Sequence, residues 1–196
     1  LSYRDLVEIM DERGLKISHT TILRWVFRFS NELKHKVRPH LRKTLTSWRL
    51  DETYIKVKGK WTYLYRAVDR EGKTIDFYLS RKRDSKAALS FFKKIIRLNS
   101  PQTPHVINVD KNPAYTHAKQ KLERVNKWPK KCKLRQNKYM NNIIEQDHRT
   151  VKWKMNHAMG YHTMWHAATT ITGIETMHML RKRQGTYYSK QNTQSL

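Results

Sequence analysis

Three carboxylates, Asp51, Asp110 and Glu145, are the residues of this sequence whose types and positions could do chemistry. Asp51 lies within an alternating segment, where a charge on a half-buried strand is costly unless it is used. Asp110 ends a short apolar stretch, 106–109, and functional groups gather at such strand ends. Glu145 begins an amphipathic helical pattern. Carboxylates from two strands and a helix can converge, and their hard oxygen atoms favour Mg²⁺, with Mn²⁺ as a substitute.

Two such ions about 4 Å apart would stabilise the attacking and leaving oxygens of an in-line phosphoryl transfer. The alternative is that Asp51 and Asp110 each form a cap or a salt bridge, and for either residue alone that interpretation is favoured. All three together in this element order favour the metal site.

Two other carboxylates are not expected at the site. Glu52 should point to the opposite face of the strand from Asp51. Asp147 lies about 200° around the helix from Glu145, by the period of 3.6 residues per turn.

The helix of Glu145 also carries cations at helical spacing. Residues three, four and seven apart share one face of a helix, so His148, Arg149 and Lys152 lie below Glu145. A carboxylate followed by cations at this spacing suits a metal with a phosphate chain beside it. Arg149 and Lys152 are therefore predicted DNA contacts, whereas His148 either assists the site or is a packed neighbour.

The composition points to a polyanionic partner. The 196 residues carry a net charge of +25, spread evenly along the chain, as expected of a protein that holds nucleic acid along several surfaces. The single cysteine, Cys132, excludes an intramolecular disulfide and indicates a reducing setting.

No apolar stretch is long enough to span a membrane, and no leader pattern is present. We expect a bacterial cytoplasmic, nucleoid-associated protein. The sequence begins at Leu1 within a helical pattern, which suggests a shortened amino terminus.

Residues 1–30 are predicted to form two helices joined by a turn. Ser2 and Asp5 have the spacing of a capping box, and Gly14 suits the left-handed position after a helix. Ser18 or Thr20 can cap a second helix through Ser30. Its core face would hold the apolar residues Ile22, Leu23, Val26 and Phe29.

The outward face of that second helix would carry polar and basic residues. This arrangement is similar to a helix-turn-helix, with Thr20, Arg24 and Arg28 as predicted DNA contacts. A generic helical hairpin is the alternative, and the charge of the whole chain favours DNA binding. Residues 31–46 are basic and lack clear periodicity, so they are predicted to be a linker or a short helix.

From residue 47 the period changes to two. Strands are predicted at 48–58, 61–68 and 74–79, which make an antiparallel meander. Alternating helices and strands follow, at 84–96, 104–110, 115–125, 131–139, 141–152 and 163–183. This order predicts an α/β ribonuclease-H-like mixed sheet over 47–183, preceded by the helix-turn-helix segment and followed by a flexible tail over 184–196.

Four segments are similar to the bacterial insertion-sequence transposases of the IS-six family (IS-twenty-six-like). They are Trp-Arg-Leu-Asp-Glu-Thr-Tyr-Ile-Lys-Val-Lys-Gly-Lys-Trp (48–61), Asp-Lys-Asn-Pro-Ala-Tyr (110–115), Lys-Tyr-Met-Asn-Asn-Ile-Ile-Glu-Gln-Asp-His-Arg (138–149) and Gly-Ile-Glu-Thr-Met-His-Met (173–179). The resemblance covers nearly the whole chain. It implies a catalytic triad of Asp51, Asp110 and Glu145, with Lys152 as the basic residue seven positions after the glutamate.

The resemblance further implies cleavage of DNA at the ends of an insertion sequence and transfer of the freed 3′-hydroxyl into target DNA. The amino-terminal helices would grip the terminal inverted repeats, and a homodimer or larger assembly would hold two ends together. Family members usually have a further amino-terminal helix that this sequence lacks. The segments around Trp153, 156–157 and 165–166 are also less basic than usual. A non-catalytic DNA-binding regulator and a ribonuclease-H-type nuclease are the alternatives.

Overall fold

The computed structural model describes residues 2–100, 103–137, 142–156 and 161–189. The helices are α1 (Tyr3–Glu12), α2 (His19–Val37), α3 (Ser85–Leu98), α4 (Pro113–Arg124), α5 (Asn142–Asn156) and α6 (Met164–Arg181). The strands are β1 (Ser47–Val57), β2 (Lys60–Asp69), β3 (Thr74–Ser80), β4 (Val106–Val109) and β5 (Lys133–Gln136). Short 3₁₀ turns occupy Arg38–His40 and Thr186–Ser189. The predicted strand at 131–139 extends into residues 138–139, which lie outside the described part, as do Asn141 and His157.

The chain divides into two compact units. The sheet unit comprises residues 43–56 and 60–150, and the helical unit comprises residues 1–42, 57–59 and 151–196. The sequence predicts one core domain over 47–183. In the structure, residues 151–183 belong instead to the unit that contains the amino-terminal helices, because they pack there. Helix α6 illustrates the difference, because it packs with α2 in the helical unit.

The sheet unit holds five strands in the order β3-β2-β1-β4-β5. Strands β2 and β3 are antiparallel, whereas β4 pairs in parallel with both β1 and β5. Lys58 and Gly59, between β1 and β2, both have positive φ (51° and 73°), as a two-residue type I′ hairpin turn requires. A meander followed by parallel strands is the ribonuclease-H-like arrangement, which confirms the predicted fold class.

Helices α3 and α4 supply much of the core of the sheet unit. Asp84 caps α3 by accepting a hydrogen bond from the Ala87 amide. The apolar face of α3 packs on the sheet through Ala88, Phe91 and Phe92, none of which is exposed. The helical spacing of the apolar residues in α3 matches its buried face.

Helices α1, α2 and α6 form most of the helical unit. The capping box of Ser2 and Asp5 is present, Gly14 has a φ of +78°, and Ser18 caps α2, all as predicted. Gly173 of α6 lies so close to Ser30 of α2 that an added Cβ would be 2.5 Å from the Ser30 hydroxyl. This glycine therefore permits the close approach of the two helices.

Three sequence-based expectations for this unit differ from the structure. Residues 31–37 continue α2 and are not a linker, because the i→i−4 hydrogen bonds run on to the Arg38 amide. Phe29 is exposed and Ser30 is buried, since Ser30 is the residue that faces α6. The expected flexible tail is ordered at Gln184, whose carbonyl accepts a hydrogen bond from the Arg42 amide. Residues 190–196 lie outside the described part.

Among the described residues, no helix is both long and apolar enough to cross a membrane.

Candidate active site

Asp51 and Asp110 are neighbours because their strands are paired. Strands β1 and β4 run parallel with Arg49 opposite Asn108. Continuing that register by two residues places Asp51 beside Asp110, which directly follows β4. The strand pairing therefore brings together two carboxylates that are 59 positions apart in the sequence.

Glu52 joins these two aspartates. One carboxylate oxygen from each of Asp51, Glu52 and Asp110 can be chosen so that all three lie within 4.8 Å of one another. The expectation that Glu52 faces away from the site was wrong. Strand alternation fixes the direction of the Cα–Cβ bond, but a glutamate carboxylate lies three bonds from Cα. Tertiary hydrogen bonds decide where it ends.

Three donors hold the Glu52 carboxylate in place. Arg83 Nε donates to it at 2.7 Å, the Tyr115 hydroxyl at 2.8 Å and the Asn112 side-chain amide at 3.2 Å. Only 2% of the Glu52 side chain is exposed. Three hydrogen bonds fix the orientation of this buried carboxylate. Glu52 is thus a positioning group, and sequence reasoning missed it because all three donors are distant in sequence.

Two partners of Glu52 have altered proton affinities. The Glu52 carboxylate raises the pKa of Arg83, chiefly through the hydrogen bond between them. Burial raises the pKa of the Tyr115 hydroxyl well above its ordinary value, and the negative charge of Glu52 raises it further. Arg83 therefore stays cationic and Tyr115 stays a neutral hydrogen-bond donor across the physiological pH range.

Asp110 is oriented by the turn that starts α4. One of its oxygens accepts the Asn112 amide at 3.0 Å, and the other accepts Arg83 Nη2 at 3.0 Å. Asn112 in turn caps α4 by accepting from the Ala114 amide, and Pro113 occupies the first helical position. The Asp-Lys-Asn-Pro-Ala-Tyr segment therefore orients Asp110 and also positions the Tyr115 hydroxyl to donate to Glu52.

Asp51 is approached from α5 by His148. The Nε2 atom of His148 lies 3.4 Å from an Asp51 carboxylate oxygen, and the imidazole is almost fully buried. On its other side, His148 Nδ1 lies 3.5 Å from the guanidinium of Arg66. Arg66 also donates to Asp147 at 2.7 Å. Helix α5 is thus attached to the sheet within one turn of Glu145, by the Arg66–Asp147 pair and by His148, which contacts Asp51.

Glu145 itself is not among the carboxylates that the structure brings together. It is exposed in the first turn of α5, and the described carboxylate cluster contains Asp51, Glu52 and Asp110. Arg149 is exposed on the same helix and Lys152 is half-buried in the next turn. The catalytic role of Glu145 and the DNA-binding roles of Arg149 and Lys152 stay predictions.

The predicted recognition residues lie on α2 in the helical unit. Thr20, Arg24 and Arg28 are all exposed. The Thr20 hydroxyl is 2.8 Å from that of Ser18, and the Arg28 guanidinium lies over the ring of Phe29 at 5.3 Å. Their exposure is compatible with DNA contact, which stays a prediction.

A carboxylate outside the cluster has a structural role. Asp69 is buried and accepts the backbone amides of Leu45, Glu71 and Lys73 at 2.9–3.0 Å, so it organises the turn between β2 and β3.

Comparisons with known proteins identify the family of this chain. A family model described as a DDE domain, of IS240-type transposases, matches residues 45–184. The transposase of insertion sequence-like element IS431mec from Staphylococcus aureus is 39% identical over 183 residues, which covers 93% of this chain and 79% of that protein. The IS257 transposase in transposon Tn4003 of the same species has the same identity and coverage.

Among solved structures, the catalytic core domain of BIV integrase is similar with a TM-score of 0.48 and 17% identity, over 66% of this chain and 81% of that one. The family match spans both aspartates of the cluster, Glu145 and most of the described structure. The chain therefore belongs to the DDE-domain transposases of bacterial insertion sequences, in the IS-six family that its motifs indicated.

Proposed function

We propose that this transposase performs two consecutive phosphoryl transfers on double-stranded DNA. In the first, water attacks the phosphodiester at an end of the insertion sequence and releases a 3′-hydroxyl. In the second, that 3′-oxygen attacks a phosphodiester of the target DNA, forms a new bond to its phosphorus and displaces the target 3′-oxygen. The observation that carries the proposal is the meeting of Asp51 and Asp110 on adjacent parallel strands in a chain of this family.

The donor set suits divalent metal. Asp51 and Asp110 offer hard carboxylate oxygens within 4.8 Å of each other, and both side chains are partly exposed. These two residues, with Glu145 as the third ligand, would hold two Mg²⁺ ions or Mn²⁺ in their place. When bound, such ions lower the pKa of the attacking hydroxyl or water and neutralise charge on the departing oxygen.

The remaining groups of the site orient these ligands. Arg83 and the turn at Asn112 fix the two oxygens of Asp110, and His148 contacts Asp51. Fixed dipoles and charges need no rearrangement during the reaction, which is how a site of this kind gains most of its acceleration. Glu52 contributes by holding Arg83, Asn112 and Tyr115 through three hydrogen bonds.

DNA would be bound by the basic residues along the chain. The net charge of +25 suits binding to both the terminal inverted repeats and the target. Arg149 and Lys152 on α5 would contact phosphates near the scissile bond, and Thr20, Arg24 and Arg28 on α2 would contact the element ends. Because two ends must be joined in one reaction, the active form would be a homodimer or a larger assembly on bacterial DNA.

A strand-transfer assay tests the proposal. The purified chain is mixed with a labelled, pre-cleaved element end and supercoiled target, with Mg²⁺, with Mn²⁺ or with chelator. We expect metal-dependent joined product, and its loss in Asp51→Ala, Asp110→Ala and Glu145→Ala while DNA retention persists. Glu71→Gln removes an exposed carboxylate from the turn after β2 and serves as the control that keeps activity.

The outcomes separate the alternatives. Joined product excludes both a nuclease and a non-catalytic regulator. Cleavage without joining would favour a ribonuclease-H-type nuclease, and binding without either reaction would favour a regulator. Full joining by Glu145→Ala would show that α5 does not supply the third catalytic carboxylate, and Glu52→Gln would then be the next variant to assay.

A further inference from the structure

An exposed aromatic and basic patch lies on the β1–β2 hairpin of the sheet unit. The patch consists of Tyr54, Lys56, Lys60, Trp61 and Tyr63. Tyr54 is 53% exposed and Trp61 is 61% exposed, whereas Tyr63 is half-buried against the main core. Large aromatic residues are usually buried because each removes a large apolar area from water. Adjacent exposed rings therefore indicate a binding surface.

The aromatic rings of the patch contact one another. Tyr54 makes edge contacts with Tyr63 at 6.2 Å and with Trp61 at 5.8 Å between ring centroids. The Lys56 ammonium lies 5.1 Å from the centre of the Trp61 ring, within the range of a cation–π contact. The patch is thus a chain of rings that extends outward from the core, with fixed orientations and a cation beside it.

Part of the patch lies on the same strand as two residues of the carboxylate cluster. Tyr54 follows Glu52 by two residues on β1, so the two side chains leave the same face of the sheet about 7 Å apart. The carboxylate of Glu52 lies within 4.8 Å of those of Asp51 and Asp110. A nucleotide that flanks a phosphate at the cluster is therefore within reach of the Tyr54 ring.

The charge of the patch favours nucleic acid over protein. Lysine is depleted in protein–protein interfaces, whereas Lys56 lies over the Trp61 ring and both Lys56 and Lys60 are exposed. A basic surface with aromatic rings is how proteins bind unpaired nucleotides, since every base has a face that can stack and every phosphate attracts a cation.

We propose that Tyr54 and Trp61 stack an unpaired base of the DNA strand whose phosphate lies at the carboxylate cluster, with Lys56 and Lys60 contacting the flanking phosphates. The ligand is a frayed or single-stranded DNA end, and the identification of that end as an element end rests on the proposed function. Stacking would hold the opened strand so that its terminal phosphodiester stays in line with the catalytic carboxylates.

Binding in chelator tests the proposal without any chemistry. The full chain is titrated against two fluorescent probes, a blunt duplex and the same duplex with a four-nucleotide single-stranded extension that contains 2-aminopurine. We expect Trp61→Ala and Tyr54→Ala to weaken binding of the extended probe about 5- to 150-fold, the range for loss of one stacked base. Binding of the blunt duplex should stay unchanged, and the 2-aminopurine quenching seen with the parent chain should disappear.

Two control variants make the test specific. Trp61→Phe keeps a ring at the position and should keep most of the affinity. Trp165→Ala removes an equally exposed tryptophan from the helical unit and should leave both probes unaffected. Circular dichroism and a thermal melt establish that each variant is folded.

Four results would overturn the proposal. Parental affinity of Trp61→Ala and Tyr54→Ala for the extended probe would show that the rings bind no base. An equal loss on both probes would mean a general contact with duplex DNA. Dissociation of an oligomer in these variants, measured by light scattering, would make the patch an interface between copies of the chain. A loss in Trp165→Ala as large as that in Trp61→Ala would show that the effect is not specific to the patch. The binding assay contains chelator and therefore involves no strand transfer. A negative result in the binding assay would overturn the stacking proposal without contradicting the proposed transposase activity.

Discussion

The guanidinium of Arg66 on β2 lies 2.7 Å from the carboxylate of Asp147 on α5, and both side chains are almost completely buried. The pair attaches the first turns of α5 to the centre of the sheet. His148, the next residue of the helix, contacts Asp51. The ion pair therefore sets the position of the helix segment that carries Glu145, although neither member of the pair belongs to the carboxylate cluster.

Removing one partner of this pair should destabilise the protein strongly. We expect Asp147→Asn to lower the free energy of unfolding by about 3–5 kcal/mol, because the buried guanidinium of Arg66 loses the negative charge of Asp147. The double variant Arg66→Met/Asp147→Leu should be more stable than Asp147→Asn alone. Urea denaturation measures both. Glu32→Gln, which breaks an exposed pair with Lys36, is the control, and an equal loss there would contradict the buried-pair argument.

Arg83 should oppose metal binding at the carboxylate cluster. Its guanidinium contacts both Glu52 and Asp110, so it places a positive charge beside the groups that would bind a cation. We expect Arg83→Gln to bind Mn²⁺ about fivefold more tightly, which corresponds to roughly 1 kcal/mol. Paramagnetic resonance of free Mn²⁺ measures the affinity, and Lys73→Gln removes a distant cation as a control. Weaker binding in Arg83→Gln would show that the arginine holds the ligands together instead.

Stability should fall in alkaline solution. Burial raises the pKa of Tyr65, Tyr115 and Tyr161 above the ordinary tyrosine value near 10. The unfolded chain therefore loses these protons at a lower pH than the native chain. Their stabilising effect is complete below about pH 10 and is lost as the pH rises above that value.

Tyr115→Phe isolates one of these groups. Each buried tyrosine can contribute at most about 1.4 kcal/mol per pH unit in this window. We expect the free energy of unfolding of Tyr115→Phe to fall less steeply between pH 9.5 and 11 than that of the parent chain, as measured by urea titrations. The control Tyr54→Phe alters an exposed tyrosine and should keep the parental slope. Identical slopes for Tyr115→Phe and the parent would refute the assignment.

The contact between α2 and α6 should not tolerate a side chain at Gly173. An added Cβ would lie 2.5 Å from the Ser30 hydroxyl and 3.2 Å from the Ser30 Cβ. We expect Gly173→Ala to cost about 1–3 kcal/mol, the usual range for overpacking. Ser30→Ala in the Gly173→Ala background removes the closer contact and should restore part of the stability. Thermal denaturation of the four combinations gives the coupling energy, and additive effects would argue against a direct clash.

The sequence by itself determined the elements of this protein. The period of two at 48–58 and the helical period of α3 reflect burial of one face, which adjacent residues decide locally. Caps at Ser2, Ser18 and Asp84 are also local, because each side chain bonds an amide three residues away. The family motifs were recognisable for the same reason, since each is a continuous segment.

The tertiary structure decided the chemistry of the site. Strand pairing placed Asp51 beside Asp110. Hydrogen bonds from three donors distant in sequence hold the Glu52 carboxylate close to these two aspartates. Likewise, the close approach of α6 determined that Ser30, and not its neighbour Phe29, would be buried. The meeting of the carboxylates and the burial of Ser30 both depend on residues of other elements. The periodicity of a single segment therefore cannot predict them. The sequence specifies which groups are present, and long-range packing determines which of them meet.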